Sequence, residues 1–496
     1  AYLSIPFIKY LGLNETVVRL PTVILSISAI IACFFLVKNL TKDVLLSLVS
    51  TLLFGFSPWF FHFSLFAHEG TMAFIFMLWG FVFLFDEKKS LLKILLSSFF
   101  LAISLYAYHN VRLFLPFFIF SYLAIKGKSY LKKNKKILIL FFTSLFVFLI
   151  PLFFSLKQGK LSPRVKNVSI FHSQEAQEQI MEGLFRYTIL GIPLKRIFNN
   201  KIVFFSYTFI KKYLEHFSLE FLFLGKEISP RLGLENFGKL YLIELPFLIY
   251  GFIRLLLEKD KKMFFLLSSW MFLAPLASSL TQDSPHSLRS LIILPSFQIL
   301  SGYGFIQIYT QIKKRKSLIL AKFFFLSFLL FLFINFAYYL HFYYFYYPEY
   351  SADHWQDGYK KMVQYVWPIK DRYKKVVVSP YMGQPHIFFA FWGKKDPLSY
   401  QKQRIEQSDF NSINLNMGKL DNVFFKTVEK EEDICLENTL LVADSNSVIE
   451  EVGKLVKPTK VIYTYNRFGK KEPAFDIVET DRYATVPAEL KNEVCE

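Results

Sequence analysis

Cysteine is scarce in this chain, and its few positions form no pattern. The three cysteines are Cys33, inside an apolar run, and Cys435 and Cys495, in the polar C-terminal part. A disulfide between the last two stays open, but two thiols form neither a disulfide framework nor the paired spacing of a zinc site. The cysteines therefore indicate neither a disulfide-dependent fold nor a structural metal centre.

Acidic residues are also in short supply. There are 39 Asp and Glu against 58 Lys and Arg, which gives a formal net charge of +19. A basic balance of this size can indicate a nucleic-acid partner, but it is also expected of a multispanning protein that keeps lysines in its cytoplasmic loops. We favour the membrane explanation and predict no nucleic-acid partner.

Apolar residues are what the chain has in excess. They make up 53% of the sequence, with 60 Phe, whereas about 45–50% is usual for soluble proteins. They form long blocks up to about Phe345, and the rest of the chain is polar. The sequence predicts a multispanning α-helical membrane domain at 21–345 and a soluble external α/β domain at 346–496, with 1–20 as the end of a first external loop.

Ten segments are apolar enough to be spanning helices, which need about 20 residues or somewhat fewer if their ends lie at the interface. The predicted spans are Pro21–Val37, Val44–Phe60, Glu69–Phe85, Leu91–Ala107, Arg112–Ile125, Ile137–Leu156, Leu240–Leu257, Met263–Leu280, Leu288–Tyr309 and Ser317–Leu340. An even number of crossings predicts that both ends of the membrane domain lie on the same side of the membrane.

Basic residues orient this layout. The loops after alternate spans hold Lys38 and Lys42; Lys88, Lys89 and Lys93; Lys126, Lys128, Lys132, Lys133, Lys135 and Lys136; Lys259, Lys261 and Lys262; and Lys313, Lys314, Arg315 and Lys316. Short loops rich in Lys and Arg stay in the cytoplasm. The other loops, the long 157–239 segment and everything after His341 are then predicted to be external.

The predicted external loops carry ionisable groups where helices leave the apolar region. These residues are His68 and Glu69; Tyr108, His109 and Arg112; and His286 and Arg289. A charge at membrane depth costs roughly 2.5–3.5 kcal/mol at a helix centre, so it usually faces a cavity or a partner. We expect one shared external cavity. Each residue taken singly also has a non-functional explanation. Glu69 could be present because a carboxylate is favourable at a helix N-terminus, and each arginine could extend to the lipid headgroups.

Four segments occur in an order that is similar to one family. They are "AYLSIPFIKYLGLNETVVRLPTVILS", "SPWFFHFSLFAHEGTMAFIFMLWG", "SLYAYHNVRLFLPFF" and "DSPHSLRSLIILPSFQILSGYG". Together they resemble segments of the membrane-embedded GT-C glycosyltransferases, specifically bacterial members of the protein mannosyltransferase and aminoarabinose transferase superfamily. The resemblance covers the chain from residue 1 to about residue 310.

The resemblance implies an inverting transfer of sugar from a polyprenyl-phosphate donor, presented by the lipid of a bacterial plasma membrane. The acceptor would be a hydroxyl of a protein, lipid or glycan outside the cell. Glu69 matches the second acidic position of the family and is the expected catalytic carboxylate of this chain. The family's first spanning helix and its main acidic base would lie upstream of Ala1.

The ionisable residues of the external loops have predicted substrate-binding roles in such a reaction. Arg112 and Arg289 would bind the donor phosphate, since a planar guanidinium matches phosphate oxygens. His286 and His109 would donate hydrogen bonds. His68 and Tyr108 would line the site. No cofactor is required, although a divalent metal held by the upstream acidic motif stays open.

The long predicted external loop contributes one candidate. Arg164, in "SPRVKNVSIF", is a predicted substrate-binding residue because this segment again resembles the bacterial relatives. Arg196, Lys201 and Lys211 could line a groove, but we favour an amphipathic segment at the membrane surface, where basic and aromatic residues are common.

The C-terminal part has the pattern of a small α/β domain. Predicted strands are "YKKVVVSPY", "HIFFAFWG", "NTLLVAD" and "KVIYTYNRFG", and predicted helices are "DHWQDGYKKMVQYVW" and "SNSVIEEVGKLVK". Its Asp and His residues show neither triad nor metal spacing. We expect a module for acceptor recognition or for structure rather than a second enzyme.

Two other functions stay open, a transporter or flippase of a lipid-linked sugar and a noncatalytic binder of one. Transporters usually hold their polar sites near the bilayer midplane and often contain internal repeats. Here no repeat is apparent and the ionisable groups gather at one surface, with Glu244 as an unexplained exception. This pattern favours an enzyme at the membrane interface.

Overall fold

The structure, a computed structural model, describes residues 2–157, 168–172, 178, 181–182, 200–315, 317–381, 383–407, 418–428, 433, 436–443, 458–466 and 468–481. The chain divides into two compact units, Ala1–Phe7 with Thr16–His341, and Ile8–Glu15 with Phe342–Glu496. The division at residue 341 lies close to the predicted change of composition. That a segment near the N-terminus belongs to the C-terminal unit is not evident from the sequence.

The first unit is helical. Its helices are α1 Ile5–Leu11, α2 Glu15–Thr41, α3 Val44–Phe56, α4 Pro58–Ser64, α5 Glu69–Phe85, α6 Leu91–Ala107, α7 His109–Lys133, α8 Lys135–Lys157, α9 Lys201–Glu215, α10 Leu245–Leu257, α11 Lys262–Leu273, α12 Leu276–Ser279, α13 Ser287–Ser290, α14 Leu294–Arg315 and α15 Leu318–Phe345. The part of α1 from Ile8 onward and the first residue of α2, Glu15, belong to the second unit.

Several of these helices are long and apolar enough to cross a membrane. Within the described ranges they are Glu15–Thr41, His109–Lys133, Lys135–Ser155, Ser287–Arg315 and Leu318–Phe345, and a sixth if α3 and α4, bent by 59°, form one span. The chain is thus a helical protein with several candidate spans. The full set of ten crossings and their orientation stay predictions.

Two of the predicted spans are interrupted. A 3₁₀ turn, Leu242–Glu244, precedes α10, which has only 13 residues. The segment predicted as Met263–Leu280 is divided between α11 and α12, with Pro275 at the junction. Proline has no N–H for the helix ladder, so it breaks the second segment.

Small residues allow close helix packing inside the first unit. A Cβ on Gly251 of α10 would lie 2.1 Å from the Leu300 carbonyl oxygen, and one on Gly304 of α14 would lie 2.0 Å from the Phe247 carbonyl oxygen. Glycines at helix interfaces in membranes permit this approach. The position of α14 is therefore fixed by backbone contact with α10.

Helices α5 and α6 are joined by serine hydroxyls. Ser97 Oγ donates to the Gly80 carbonyl oxygen at 2.9 Å, and Ser104 Oγ donates to that of Ala73 at 2.8 Å. Such bonds satisfy polar groups where water is excluded. They hold the start of α5 beside the end of α6.

The second unit contains a six-stranded sheet. Its strands are β1 Lys375–Val378, β2 Lys419–Leu420, β3 Val423–Phe425, β4 Thr439–Ala443, β5 Lys460–Tyr465 and β6 Lys471–Glu479, in the order β2-β3-β1-β4-β6-β5. Strand β1 pairs in parallel with β3 and β4, and the remaining pairs are antiparallel. The helices of this unit are α16 Tyr347–Tyr350, α17 Tyr359–Val366, α18 Pro385–Trp392 and α19 Pro397–Gln407.

Most predicted elements of this unit are present, but one prediction is wrong. Strands β1, β4 and β5 confirm three predicted strands, and α17 confirms the second half of the first predicted helix. The run "HIFFAFWG" is helix α18 instead of a strand. Pro385 occupies its first turn, where the missing N–H costs nothing, and the run has one β-branched residue, Ile387. The helix predicted in "SNSVIEEVGKLVK" lies outside the described residues.

Contacts of Glu15 explain why a segment near the N-terminus joins the second unit. Trp392 Nε1 donates to Glu15 Oε1 at 3.0 Å, and Lys360 Nζ contacts the same oxygen at 2.6 Å. This small network links the Ile8–Glu15 segment to α17 and α18.

Candidate functional site

A cavity of about 580 Å³ in the first unit is lined by residues from three predicted external loops. The predicted site residues that line it are His68, Glu69, Tyr108, His109, Arg112, His286 and Arg289. We call it the histidine–arginine cavity. The three loops therefore meet at one cavity, as the sequence predicts. The remaining predicted site residue, Arg164, lies outside the described residues.

His68 and His286 each precede a helix and cap it. His68 Nδ1 accepts a hydrogen bond from the Gly70 N–H at 2.9 Å, and His286 Nδ1 accepts one from the Arg289 N–H at 3.4 Å. When Nδ1 is the acceptor, the proton of a neutral imidazole is on Nε2, which then donates. Burial, aided by the charge of Arg289, lowers the pKa of His286 to about 3. His286 is therefore neutral at physiological pH.

Glu69 is the first residue of α5, where a carboxylate is stabilised by the helix dipole. Its side chain is 46% exposed, and its Oε2 lies 3.7 Å from His68 Nδ1. The carboxylate is accessible to water while it lines the cavity. It could therefore accept a proton from a group that enters from solvent.

Arg289 is held firmly by its surroundings. Its Nη1 donates to Thr281 Oγ1 at 2.7 Å and to the Asp283 carbonyl oxygen at 3.0 Å. The Asp283 carboxylate is 3.9 Å from Nη2, and the buried Nε has no hydrogen-bond partner among the described residues. The guanidinium is thus oriented by two bonds and keeps donor capacity for a ligand.

Arg112 has a similar anchor. Its side chain is half-buried, and its Nε donates to the Leu105 carbonyl oxygen at 2.9 Å. In the part of the chain that the structure describes, no hydrogen bond or ion pair occupies its Nη atoms. Both arginines of the predicted site are therefore fixed by protein oxygens and present N–H groups to the cavity.

Hydrogen bonds connect the segments that bear the predicted motifs. Asn110 Nδ2 donates to the Arg289 carbonyl oxygen at 2.9 Å, and Trp59 Nε1 donates to that of Ser287 at 2.9 Å. Ser57 Oγ donates to the Lys239 carbonyl oxygen at 3.1 Å. Asn110 and Trp59 therefore hold α13 against α7 and α4, and Ser57 is bonded to the segment that ends at Leu240.

Sequence reasoning missed a third arginine. Arg231 lines the cavity together with Ile228 and Ser229, and its carbonyl oxygen lies 2.8 Å from His62 Nε2. A signal was available, because the tripeptide "SPR" occurs at 162–164 and again at 229–231. Only the first copy was a predicted site.

The segment that carries Arg231 is a tight hairpin spanning 219–240. The Leu240 N–H donates to the Leu222 carbonyl oxygen at 2.9 Å. Gly225 has a φ of +85°, and a Cβ there would lie 2.4 Å from the Phe237 nitrogen. Both conditions require glycine. The hairpin thus forms a compact wall of the cavity.

No family model matches this chain, and no curated protein matches it.

An apolar groove of about 420 Å³ adjoins the cavity along the chain. It is formed by α2, α3, α4 and α15, and Phe60, Phe61 and Leu65 line it. The next residue, Phe66, lines the histidine–arginine cavity. A polar cavity and an apolar groove are therefore lined by neighbouring residues of the chain in this unit.

Helix α9 contains two other basic residues of the long predicted external loop, Lys201 and Lys211, which the sequence offers as groove-lining candidates. Val203, Tyr207, Ile210 and Leu214 form an exposed apolar stripe on it, and Ile202 is exposed as well. Tyr213 OH donates to the Phe272 carbonyl oxygen at 2.8 Å, which anchors the helix. Lys201 and Lys211 are exposed and are not among the residues that line the cavity. This arrangement fits the amphipathic explanation for α9. Arg196 lies outside the described residues.

Within the described ranges, no three His, Cys, Asp or Glu side chains are grouped so that they could hold a metal ion. Among the described residues that line the cavity, the permanently charged cations are arginines.

Proposed function

We propose that the protein is a membrane glycosyltransferase of the GT-C type. It transfers a sugar from a polyprenyl-phosphate donor to an acceptor hydroxyl at the outer face of the membrane, with inversion at the sugar carbon. The observation that carries this proposal is the convergence of a carboxylate, histidines and anchored arginines on one cavity, with an apolar groove lined by adjacent residues of the chain.

Glu69 is the proposed base among the residues of this chain. Its carboxylate takes the proton of the acceptor hydroxyl while the acceptor oxygen attacks the anomeric carbon and the bond to the donor phosphate breaks. General-base catalysis of this kind contributes about 10²–10⁴ in rate. The exposure of Glu69 supports this role because the acceptor must arrive from water.

Arg112 and Arg289 are the proposed phosphate-binding cations. The electron pair of the breaking bond remains on the donor phosphate, so positive groups fixed near its oxygens lower the barrier. Their anchoring bonds mean that little reorganisation is needed. His286, neutral and with its proton on Nε2, would donate a further hydrogen bond, and His109 lies on the same cavity.

The apolar groove supports a donor that is linked to lipid. A polyprenyl phosphate has an anionic head and a hydrocarbon tail, and the cavity and the groove offer one environment for each. Leu65 and Phe66, adjacent in the chain, line the groove and the cavity respectively. Ligand sites combine apolar walls with a few convergent polar groups in this way.

The structure also gives Glu244 a local role, which weakens the case for a transporter. Glu244 Oε1 accepts a hydrogen bond from the Tyr241 N–H at 3.0 Å at the turn that begins α10. The cap gives one oxygen of this fully buried carboxyl a local structural role. The exception noted in the sequence therefore has a structural explanation.

A transfer assay tests the proposal. The full-length protein in detergent is given labelled polyprenyl-phosphate sugars and candidate acceptors, and labelled product is measured. We expect turnover by the wild type, a fall of about 10²–10⁴ for Glu69→Gln, and a large fall for Arg289→Ala. Glu220→Gln, an exposed acid away from the cavity, and Arg315→Ala, at the other end of the same helical segment, are matched controls.

The rival functions give different results. Absence of product with any acceptor, together with movement of the labelled donor across reconstituted vesicles, would identify a transporter. Donor binding without turnover or movement would identify a noncatalytic binder. Equal turnover by the wild type, Glu69→Gln and Arg289→Ala would remove these residues from the site.

A further inference from the structure

The hairpin that carries Arg231 contains two ion pairs that differ in burial. Glu227 contacts Lys239 with side chains only 5% and 3% exposed. Glu220 contacts Lys226 at 2.9 Å with side chains 62% and 66% exposed. An exposed pair contributes little to stability, whereas a buried pair must overcome the cost of removing both charges from water. The buried pair therefore calls for an explanation that the exposed pair does not.

The surroundings of the buried pair are shaped to hold it. A Cβ on Gly233 would lie 3.1 Å from Lys239 Nζ and 3.2 Å from Glu227 Oε1, so glycine leaves room for both groups. Lys239 Nζ also lies 5.3 Å from the centroid of the Phe221 ring. Burial raises the pKa of Glu227, and the neighbouring Lys239 ammonium opposes that shift.

The carboxylate of Glu227 also reaches across to the opposite side of the cavity. Ser287 Oγ donates a hydrogen bond to Glu227 Oε1. Glu227 directly precedes Ile228, which lines the cavity on the hairpin side, and Ser287 directly follows His286, which lines it on the α13 side. Ser287 is fully buried. One carboxylate therefore joins the two walls at positions next to cavity-lining residues.

We propose that Glu227 and Lys239 are positioning residues that, through Ser287, set the separation of two arginine-bearing walls. Arg231 lies on the hairpin wall and Arg289 on the α13 wall, so their spacing decides whether both can bind one phosphate group. Arg231 thereby becomes a third phosphate-binding cation. The identity of the ligand rests on the proposed function, but the spacing of the walls does not.

The spacing is tested first without any ligand. Spin labels are attached at Ile228→Cys and Asp283→Cys, one on each wall, after the three native cysteines are replaced. Pulsed electron paramagnetic resonance then gives the distribution of distances between the labels. We expect one narrow distribution, and a broader or longer one in Ser287→Ala, which deletes a single hydroxyl and leaves the ion pair intact.

Glu220→Gln, which breaks the exposed pair of the same hairpin, is the matched control and should leave the distribution unchanged. A distribution that is also unchanged in Ser287→Ala and in Glu227→Gln overturns the proposal, since the walls would then be held apart by other contacts. This measurement is independent of donor chemistry. Its failure is therefore distinct from a failure of the proposed function.

A double-mutant cycle tests the consequence for binding, with farnesyl phosphate as the probe. Arg231→Ala and Ser287→Ala should each weaken affinity about tenfold, and the double variant should also be about tenfold weaker, because residues that act as one unit are not additive. A hundredfold loss in the double variant, or a lower melting temperature of Ser287→Ala with unchanged affinity, overturns a positioning role. No binding by the wild type would count against the proposed donor instead.

Discussion

Two pockets lie at opposite ends of the same helices, and they differ in how their charged side chains are solvated and anchored. Helix α5 begins at Glu69 in the histidine–arginine cavity and ends at Phe85 in a second pocket of about 290 Å³. Helix α7 likewise contributes Arg112 to the first and Lys126 to the second. We call the second the acidic pocket, after its lining residues Glu87, Glu258 and Asp260.

In the acidic pocket the charges are solvated and paired with exposed neighbours. Lys42 lies 3.4 Å from Glu87 and Lys262 lies 3.8 Å from Asp260, with every one of these side chains at least half exposed. In the histidine–arginine cavity, Arg289 is 10% exposed and is fixed by a hydroxyl and a carbonyl oxygen. A charge that is fixed in advance and partly dehydrated binds a counter-ion strongly, whereas an exposed pair does not. We therefore expect anchored charges, rather than charge alone, to mark the binding site.

The largest expected difference between the pockets is in phosphate binding. The double variant Arg112→Ala/Arg289→Ala should lose about a hundredfold or more in farnesyl phosphate affinity, since each hydrogen bond to a charged group contributes about 1.5–3 kcal/mol. Lys126→Ala/Lys262→Ala should stay within about twofold of the wild type. Titration calorimetry in detergent measures both. Equal losses would abolish the distinction between the pockets.

A second difference concerns pH, because His286 lies in the first cavity and the described lining of the acidic pocket contains no histidine. The pKa of His286 is lowered to about 3 from an ordinary value of 6.5. Below pH 6.5 the unfolded chain takes up a proton that the folded chain does not. Stability should therefore fall as the pH decreases from 6.5 towards 3, by at most about 1.4 kcal/mol per pH unit for this group.

Thermal unfolding in detergent between pH 7 and pH 5 checks this expectation. His286→Asn keeps a side-chain oxygen that can cap the helix but cannot take up the proton, so its stability should depend less on pH. His216, whose pKa is lowered to about 4 chiefly by burial, should account for a further part, which His216→Asn removes. Parallel profiles for the wild type and His286→Asn would contradict the neutral imidazole.

The smallest expected difference between the pockets concerns the effects of substituting two asparagines that make similar hydrogen bonds. Asn110 Nδ2 donates to the Arg289 carbonyl oxygen at 2.9 Å, and Asn39 Nδ2 donates to the Val82 carbonyl oxygen at 2.9 Å. Asn110 lies beside the histidine–arginine cavity, whereas Asn39 lines the acidic pocket. Each substitution by Ala should cost about 0.5–1.5 kcal/mol of stability. Only Asn110→Ala should also weaken farnesyl phosphate binding; a matching effect of Asn39→Ala would contradict the comparison.

The sequence predicts much of this arrangement because apolar length and helix-capping residues are local signals. Helices α5 and α6 have the bounds predicted for them, since His68 and Ser90 cap their first turns. The meeting of three loops was predicted from their common level in an alternating layout. The proposed chemical roles of Glu69 and the arginines stay predictions.

Other features depend on tertiary contacts between residues that are far apart in the sequence. Arg231 reaches the cavity only because a glycine-dependent hairpin folds back within a loop of about eighty residues, so proximity along the chain gave no clue. The apolar run "HIFFAFWG" is compatible with either a strand or a helix. It is a helix in the structure, where Phe389 packs in the core of the second unit. The attachment of Glu15 to Trp392 joins residues far apart in sequence.

The backbone contact between Gly304 and Phe247 has a practical consequence for mutational scans. Gly304 is 15 residues beyond Arg289, roughly 20 Å along the axis at 1.5 Å per residue. An added methyl group there must push α14 away from α10. Because the helical segment moves as a unit, this displacement would also move the Arg289 guanidinium. Inactivating substitutions should therefore also appear deep in the apolar helix bundle, at positions that contact neither the substrate nor the cavity.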